Sequence, residues 1–414
     1  LTTKRNNMAI SVEAAIEIIS NLTLNLNFEI VPIENATSRI SAQEIFATSF
    51  LPKFNNSAMD GYAIIYEDKN NKLKIIDTIF AGDNNNILLE KNSCIKIMTG
   101  AKIPENTTAI IPKEDIQELN DNKIKILGNV KEFQHIRYIG EDIKQNELLI
   151  NIGDEINFSK ITLLASQGIS HIKVYKKPKV VVFASGEELK LHYEKIESFQ
   201  IYNSNTPTFI ARTKELGCEV TFIGQAKDTI EAIKELINNS LDANLIITSG
   251  GVSVGDADFT KEAFYELGFE TLFDGINVKP GKPTVFGKIK NTYILNLPGN
   301  PLASALIFEM FGKILIQKFI GSRNIYSNYI LGKLKEPFFT KKGKTTLIPG
   351  FFDGEYFEVS QKRSPGMVSV LSSCNSMICI DNEVEKLEKN SLIKILPINW
   401  KFFSDIKKDF LTHE

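Results

Sequence analysis

Acidic side chains follow three apolar runs in the middle of the chain. Glu188, Asp228 and Asp258 each come a few residues after a segment with the apolar pattern of a buried strand. Three carboxylates at one mouth repel one another unless a cation lies between them, and hard oxygen ligands of this kind suit Mg²⁺. For any one acid, a helix cap or a solvated side chain is the better explanation, and Asp256 is predicted to be such a cap. Only the trio favours a metal site.

Small residues make up the turn that leads to Asp258, where the chain reads TSGGVSVGD. Glycine allows the backbone to approach a ligand closely and to point its N–H groups at anionic oxygen atoms. The helix predicted to follow adds partial positive charge at its start. Ser249, Gly250 and Gly251 therefore form a candidate phosphate cradle, although the same glycines also fit a turn that serves geometry alone.

Two lysines and a helix start complete the candidate anion site. In VKPGKP (278–283), Pro-Gly at the centre predicts a type II turn, which brings Lys279 and Lys282 within about 7 Å of each other. Two ammonium groups so placed attract a small oxyanion between them, whereas a lone hairpin would leave both lysines solvated. Asn300 and Pro301 predict the first turn of a helix, with Asn300 as its cap, and the free N–H groups of that turn can also meet an anion.

Other chemistries find little support in the sequence. The four histidines, at positions 135, 171, 192 and 413, are scattered and lack metal-ligand spacing. The chain holds no HExxH, GxSxG or Walker lysine motif. Asp60-Gly61, within SAMDGYA, is on its residues alone an ordinary turn pair.

The bulk composition is that of a multidomain globular protein. The chain has 414 residues, a formal net charge of −2 and four cysteines without CxxC spacing. Such a length exceeds one compact core, and so small a net charge gives no reason to expect nucleic acid. No segment has the pattern of a signal peptide or a membrane span, and the cysteines are interpreted as reduced buried thiols. We therefore expect a cytoplasmic protein that contacts neither a membrane nor nucleic acid.

The elements that must position these residues change in kind along the chain. Short β-like runs dominate residues 29–137 and return after residue 322, and an amphipathic helix is predicted over 11–21 with Ser11 as its cap. Between them, strand patterns at 179–185, 219–224, 244–251 and 292–300 alternate with helix patterns at 207–216, 229–238, 258–267 and from 301. This alternation predicts a doubly wound parallel sheet, and ligands bind beyond the carboxyl ends of such strands.

The motifs taken together resemble one family. They follow one order along almost the whole chain: SAMDGYA (57–63), IMTGAKIP (97–104), GED (140–142), SGEEL (185–189), TSGGVSVGDAD (248–258), KPGKP (279–283) and LPGNP (297–301). This order is similar to that of the molybdopterin molybdenumtransferases, the MoeA proteins, which are equivalent to the E domain of gephyrin. SAMDGYA and the SGGVSVG–KPGKP–LPGNP series are specific in combination.

The resemblance implies an elongated homodimer with four domains in each subunit. Domain one is discontinuous, domain two is β-rich, domain three is a doubly wound (MogA-like) catalytic domain that binds molybdopterin, and domain four is a C-terminal β domain. The implied boundaries are 1–28 with 43–56 and 140–176 for domain one, 57–139 for domain two, 177–322 for domain three and 323–414 for domain four. The active cleft is expected between domain three of one subunit and domain two of the other.

The resemblance also implies a reaction and its partners. Adenylylated molybdopterin and molybdate would be the substrates, Mg²⁺ the cofactor and AMP the released product, within molybdenum cofactor biosynthesis. Transient contact with the adenylyltransferase of the pathway is implied as well. Three alternatives stay open, namely the adenylyltransferase activity itself, insertion of tungstate in place of molybdate, and a non-catalytic scaffold.

Matched motif by motif, the resemblance assigns residues to the site. The implied catalytic residues are Asp60, Thr99, Asp142, Glu188, Asp228, Asp258, Lys279 and Lys282. The implied molybdopterin-binding residues are Ser249, Gly250, Gly251, Ser253, Gly255, Pro283, Asn300, Pro301 and Ser369. The three acids of domain three would hold Mg²⁺, and the lysines of KPGKP, with the proline that follows them, would bind molybdate. Asp60 and Thr99 would reach the cleft across the dimer interface.

Domain four departs from the family pattern. The family often has Gly-Ser-Gly before a serine, where this chain reads SPGMVS (364–369), and Ser369 is the matching serine. The arginine expected to help bind molybdate is matched by Lys344 or by Arg363. Lysine lacks the guanidinium fork, so the share of domain four in the site stays open.

Overall fold

Three six-stranded sheets carry most of the β-structure in the computed structural model, which describes residues 9–84, 86–250, 259–400, 407 and 411. Two-stranded ladders join most of the remaining strands within these residues. The three large sheets draw most of their strands from different parts of the chain. The protein is therefore multidomain, with one α/β part and β-rich parts, as predicted.

The central sheet is the doubly wound one. In spatial order its strands are Glu219–Ala226, Lys179–Ser185, Leu245–Ser249, Thr292–Leu297, Val285–Ile289 and Glu270–Asp274. The first four run parallel, as predicted, whereas Val285–Ile289 is antiparallel to both of its neighbours. Two strands that were not predicted, Val285–Ile289 and Glu270–Asp274, extend this edge with antiparallel pairing, and a two-residue hairpin joins Val285–Ile289 to Thr292–Leu297 without a crossover helix.

Helices cover both faces of this sheet. They are Asn205–Glu215, Ile230–Asn238, Phe259–Glu266, Pro301–Ile307 and Lys313–Phe319, the last two joined by the π-helical turn Phe308–Gly312. Successive residues of a strand point to opposite faces, so the continuous apolar runs fill two separate cores. Val182, Ile247 and Leu295 belong to one core, and the residues directly before them in the strands belong to the other.

Local polar groups set where these helices begin. Thr229 caps Ile230–Asn238 by accepting a hydrogen bond from the N–H of Ala232 at 3.3 Å, in agreement with the predicted start. Asn205–Glu215 begins earlier than predicted, because the side chain of Asn203 accepts a hydrogen bond from the N–H of Thr206 at 3.1 Å.

The second large sheet lies between residues 61 and 126. Its strands in spatial order are Ala109–Pro112, Gly61–Ile64, Ser93–Ile97, Leu73–Ile79, Lys123–Ile126 and Ile116–Leu119, and its single-turn helices are Tyr66–Asp68 and Lys113–Asp115. The SAMDGYA motif leads into the strand that begins at Gly61. A Cβ atom on Gly61 would clash with the carbonyl of Ile111 on the adjacent strand, so this pairing requires glycine.

Segments far apart in the chain build a smaller unit beside this sheet. Its ladders pair Phe28–Pro32 with His171–Tyr175 and Ile45–Phe46 with Leu148–Ile150, and its helices are Ile33–Asn35 and Phe158–Ser166. The ladder of Asn56–Ser57 with Ile136–Arg137 lies against the second sheet, whose core Ile136 contacts. Ile33, Ile45, Ile150 and Leu164 share one core. Residues 29–42, left outside the predicted domains, thus belong with the segments predicted for domain one.

The first helix, Val12–Ser20, packs elsewhere. Ser11 caps it by accepting a hydrogen bond from the N–H of Ala14 at 3.1 Å, as predicted. Its apolar face joins the core that contains Phe311 and Leu315 of the doubly wound part. The prediction placed this helix in domain one, whereas its buried contacts are with domain three; the four-domain boundaries otherwise stay a prediction.

The third large sheet combines the C-terminal part with a segment from the centre of the chain. Its strands in spatial order are Val278–Lys279, Thr345–Phe352, Tyr356–Val359, Ile330–Leu334, Leu392–Pro397 and Ser376–Ile380. The ladder Phe338–Phe339 with Lys386–Leu387 and the short helix Val370–Ser373 complete this part. Because Val278–Lys279 pairs with Thr345–Phe352, the predicted lysine turn is tied to the C-terminal sheet.

Two further predictions concern cysteines and membranes. All four cysteines are free; three are buried, but Cys379 is exposed, so the prediction of buried thiols is wrong for that residue. It lies on the strand Ser376–Ile380 with its side chain toward solvent. No helix in the described part of the chain is long and apolar enough to cross a lipid bilayer.

Candidate active site

A cavity of about 680 Å³ lies at the carboxyl edge of the doubly wound sheet, and we call it the strand-end cavity. The predicted site residues that line it are Glu188, Asp228, Ser249, Gly250, Pro283, Asn300 and Pro301. Parallel strands end at the same edge of a sheet, so loops that are distant in sequence meet here. The volume suits a ligand of nucleotide size.

Two of the three predicted metal ligands face this cavity. An oxygen of Asp228 accepts a hydrogen bond from the N–H of Glu187 at 3.2 Å. The Glu188 carboxylate lies over Gly186, where an added Cβ atom would be 2.9 Å from Oε2. Within the described residues, no group of three or more His, Cys, Asp or Glu side chains could hold a metal ion. The predicted residues Gly251, Ser253, Gly255, Asp256 and Asp258 lie outside the described residues.

The turn after Leu245–Ser249 requires its first glycine. Gly250 has a φ of +98°, and a Cβ atom there would be 2.7 Å from the carbonyl oxygen of Ser185. The Gly250 N–H donates to the carbonyl of Leu297 at 3.3 Å. This amide is therefore engaged at the sheet edge, which corrects the expectation that it points at an anion.

The helix start at Asn300 and Pro301 is also already occupied. The N–H groups of Leu302 and Ala303 both donate to the carbonyl of Pro365, at 2.9 and 3.3 Å. Asn300 is the N-cap residue, as predicted, but its side chain makes no capping hydrogen bond, and the N–H groups expected to be free are satisfied by the 364–369 loop. Asn300 and Pro301 nevertheless line the strand-end cavity.

The segment that carries Lys279 and Lys282 runs along the same helix. Gly281 has a φ of +114°, and a Cβ atom on it would clash with Ile307. The Lys279–Pro280 peptide bond is cis and the chain turns at Pro280 and Gly281, where the type II geometry stays a prediction. Both lysines are exposed and form no ion pair with another described residue, and Pro283 carries this segment to the cavity wall.

Asp60 and Thr99 meet on the second sheet. One oxygen of Asp60 accepts hydrogen bonds from the N–H of Thr99 at 2.9 Å and from its hydroxyl at 2.8 Å. The backbone and side-chain bonds from Thr99, in that order, with a smaller effect of Lys113, hold the pKa of Asp60 below its usual range. Asp142 is exposed. The strand-end cavity is lined by none of Asp60, Thr99 and Asp142.

The C-terminal part approaches the cavity through residues that the sequence prediction did not select. Gly366 and Val368 line it, whereas Ser369, the predicted residue, starts the short helix Val370–Ser373 and is exposed. Lys344 directly precedes the strand that pairs with Val278–Lys279. Arg363 lies farther from that pairing along the chain, with its guanidinium 5.5 Å from the ring centre of Phe338.

Sequence reasoning missed one wall of the cavity. Its residues come from the segment between Lys179–Ser185 and Asn205–Glu215, and they include Leu189, Ile201, Tyr202, Asn203, Ser204 and Asn205. Leu189–Lys190 and Ile201–Tyr202 form a small parallel ladder that shapes this wall. The signal available in the sequence was the polar run NSNT, which directly precedes the predicted helix and is typical of a helix cap.

Two family models match the chain. The model described as "MoeA N-terminal region (domain I and II)" matches residues 10–168, and the model described as "Probable molybdopterin binding domain" matches residues 181–318. The second match covers most of the doubly wound sheet and of the strand-end cavity.

Whole-chain relatives agree with these matches. A molybdopterin molybdenumtransferase of Haemophilus influenzae is 37% identical over 314 residues, which are 75% of this chain and 78% of the relative. One of Staphylococcus aureus is 31% identical over 392 residues, with 91% and 92% of the two chains covered. The crystal structure of a molybdopterin biosynthesis MoeA protein from Pyrococcus horikosii has a TM-score of 0.82 at 28% identity and covers 95% of this chain and 100% of its own.

A doubly wound domain with a cavity at its strand ends and several β-rich parts, together with relatives named as transferases, places the chain among multidomain α/β transferases. Within that class, the chain belongs to the molybdopterin molybdenumtransferase (MoeA) family. The resemblance stated from the motifs and the prediction of a transferase are thereby confirmed.

Proposed function

We propose that this chain transfers molybdenum from molybdate to adenylylated molybdopterin and releases AMP, with the help of Mg²⁺. The observation that carries the proposal is the strand-end cavity, where two carboxylates and the small polar residues of two turns converge. The relatives are named molybdopterin molybdenumtransferases, which supports molybdopterin as a substrate, whereas molybdate, the adenylyl group, AMP and Mg²⁺ come from the family resemblance of the motifs.

The donor set of the cavity fits Mg²⁺ in one particular way. Magnesium is commonly held by one or two carboxylates together with substrate phosphates and water. Glu188 and Asp228 supply such a pair without a third described ligand, and Asp258 remains the proposed third. When bound, the ion would offset negative charge at the pyrophosphate. The residues of the chain would bind and orient the phosphate groups on either side of it.

Molybdate would bind beside Lys279 and Lys282. Both ammonium groups lie on an exposed segment without partners among the described residues, so they remain available to an oxyanion. Gly281 holds this segment against Ile307, and Pro283 joins it to the cavity wall. The segment therefore offers positive charge next to the place proposed for the pterin, which supplies proximity between the two substrates.

Asp60, Thr99 and Asp142 would act in the cleft of a homodimer. They do not line the strand-end cavity of their own chain. A second copy would bring Asp60 and Thr99 to that cavity, as the family resemblance implies. We also propose a cytoplasmic location for the protein and transient contact with the preceding adenylyltransferase.

Molybdate-dependent AMP release from adenylylated molybdopterin tests the proposal. We expect Asp228→Asn to slow release at least about 10-fold, because a ligand for the charge-offsetting ion is lost. Asp242→Asn is the matched control, since Asp242 is an exposed acid that precedes Leu245–Ser249 at the opposite edge of the sheet. Absence of molybdate-dependent release in the wild type would overturn the proposal, and accumulation of AMP-capped pterin from molybdopterin and ATP would favour the adenylyltransferase alternative.

A second set of variants addresses the oxyanion. Lys279→Ala combined with Lys282→Ala should raise the molybdate concentration needed for half-maximal release, whereas Lys290→Ala should not. Lys290 is an exposed lysine in the hairpin that precedes the strand Thr292–Leu297. This hairpin is at the end of the strand that lies away from the cavity. An unchanged molybdate requirement in the double variant would contradict this role. The same titration with tungstate would establish the preference between the two oxyanions.

A further inference from the structure

Asn205 occupies a central place in the wall that the sequence analysis missed. It is the first residue of Asn205–Glu215 and is only 8% exposed, yet it lines the strand-end cavity. Buried amide side chains are hydrogen-bonded in folded proteins, so the partners of this one indicate what it does.

Its amide nitrogen joins two turns that come from different strands. Nδ2 donates to the carbonyl oxygen of Gly299 at 2.8 Å and to Oγ of Ser249 at 3.3 Å. Ser249 ends the strand Leu245–Ser249, and Gly299 lies in the turn after Thr292–Leu297. One side chain thus bridges the two turns that flank the cavity floor.

These two turns are also in direct contact. A Cβ atom on Gly299 would be 3.7 Å from Cα of Gly250, and the N–H of Gly250 donates to the carbonyl of Leu297. That backbone bond is long, at 3.3 Å. Asn205 adds a second link between the turns, through its bond of 2.8 Å to Gly299 and its bond of 3.3 Å to Ser249.

We propose that Asn205 is a positioning residue, which holds the Ser249–Gly250 turn against the Gly299 turn and thereby sets the affinity for the phosphate end of the substrate. This inference rests on the proposed function, because it assumes that these turns contact the phosphate groups. Asn205 acts through Ser249 and Gly299, and no contact of its own with the substrate is required.

The chemistry of the bridge explains why an amide stands there. An amide nitrogen has two hydrogens and can serve both acceptors at once. A carboxylate of the same shape has no hydrogen to donate and would face the Gly299 carbonyl with like partial charge. An alanine would leave both acceptors unsatisfied. Asn205→Asp and Asn205→Ala therefore remove the bridge by different routes, one with added charge and one without.

Asn203 provides a matched control on the same wall. It is buried and lines the same cavity, but within the described part of the chain its side chain bonds only to Thr206: Oδ1 accepts from the N–H at 3.1 Å and Nδ2 donates to the hydroxyl at 2.8 Å. In Asn203→Asp one oxygen still accepts from the N–H, and the hydroxyl can donate to the other. This variant adds the same charge without loosening either turn.

The experiment combines two measurements on the full chain. Hydrogen–deuterium exchange of the peptides that contain Gly250 and Gly299 should become faster in both Asn205 variants than in the wild type and in Asn203→Asp. Binding of AMP, measured by calorimetry, should weaken about 10-fold or more in both Asn205 variants and less in Asn203→Asp. If Asn205→Asp does not fold, Asn205→Ala carries the comparison.

The outcomes separate this inference from the proposed function. Unchanged hydrogen–deuterium exchange in both Asn205 variants would overturn the positioning role. So would a second outcome, in which Asn205→Ala keeps full AMP affinity while Asn205→Asp and Asn203→Asp lose AMP affinity equally. A wild type that does not bind AMP would count against the proposed function instead, and the exchange rates would still decide whether Asn205 fixes the turns.

Discussion

Thr99 lowers the pKa of Asp60, an acid of the proposed cleft. The carboxylate of Asp60 is exposed, yet two hydrogen bonds from Thr99 keep its pKa below the usual range. A lowered pKa in the folded state contributes stability above the pKa of the unfolded chain, and that contribution is lost as the pH falls through the folded pKa. The pairing therefore keeps Asp60 ionised across neutral and mildly acidic pH.

Thr99→Val should raise the pKa of Asp60, because the hydroxyl bond is lost. The backbone bond, which is the larger cause of the shift, should remain, so the pKa should stay below its usual range. Titration of the Asp60 carboxyl carbon by NMR measures both effects. Thr99→Ser retains the hydroxyl and should leave the pKa close to that of the wild type. A pKa that does not move in Thr99→Val would show that the hydroxyl has no part in it.

Among the elements, the central strands carry an unusual pair of buried polar side chains near the cavity. Thr248 and Asn296 are paired in register on neighbouring strands and are fully buried. The hydroxyl oxygen of Thr248 and both polar atoms of the Asn296 side chain have no hydrogen-bond partner among the described residues. On the same strand as Asn296, Thr292 is equally buried, but its hydroxyl lies 2.9 Å from the carbonyls of both Leu241 and Ala243.

The substitution of valine should have different effects on the free energy of unfolding at these two threonines. Thr248→Val should change the free energy of unfolding by less than about 0.5 kcal/mol or increase it, because no hydrogen bond is lost. Thr292→Val should lower it by about 1 to 3 kcal/mol, because the two carbonyls lose their donor. Urea unfolding of the two variants beside the wild type tests the difference. An equal loss in Thr248→Val would indicate an ordered water on that hydroxyl.

The helix that begins at Pro301 connects the elements of the site. Its first N–H groups bind the carbonyl of Pro365, and its residue Ile307 contacts the segment around Gly281. The lysines and the 364–369 loop are thus both placed by one helix. A change in that helix would therefore move both the proposed molybdate site and the contribution of the C-terminal part to the cavity.

In the whole molecule, the proposed catalytic residues fall into two separate groups. Glu188 and Asp228 belong to the doubly wound part, to which the lysine segment joins the C-terminal sheet, whereas Asp60 and Thr99 lie at strand ends of the second sheet and do not line the strand-end cavity. If one active site needs both groups, the proposed homodimer would complete it with a second copy of the chain and would contain two such shared sites.

Complementation tests this arrangement. Asp60→Asn and Asp228→Asn should each be nearly inactive alone, but random exchange of subunits should restore about one quarter of the wild-type activity, because one intact site forms in each mixed dimer. Mixing Asp228→Asn with Glu188→Gln is the control and should restore nothing above the activity of the two variants alone, since both carboxylates belong to the same chain's share of a site. No recovery in the first mixture, with subunit exchange verified by mass, would contradict the shared site.

Much of the central domain could be predicted because its signals are local. The apolar runs over Lys179–Ser185 and Leu245–Ser249 mark buried strands, and their spacing with helices marks parallel order. Parallel strands end at one edge, so the sequence alone brought Glu188 and Asp228 to the same cavity. The motifs then led to the family, which the comparisons confirmed.

The remaining features depend on contacts between distant residues, about which no local pattern carries information. The carbonyl of Pro365 accepts hydrogen bonds from the first N–H groups of the helix that begins at Pro301, although the sequence predicted the Asn300 side chain for that role. The first helix packs on the doubly wound part because its apolar stripe fits there, and a stripe does not specify its partner. In the sequence, Asn205 lies just before a helix pattern and shows no other role. Its side-chain amide bridges two turns only because the fold places both of them within hydrogen-bond distance.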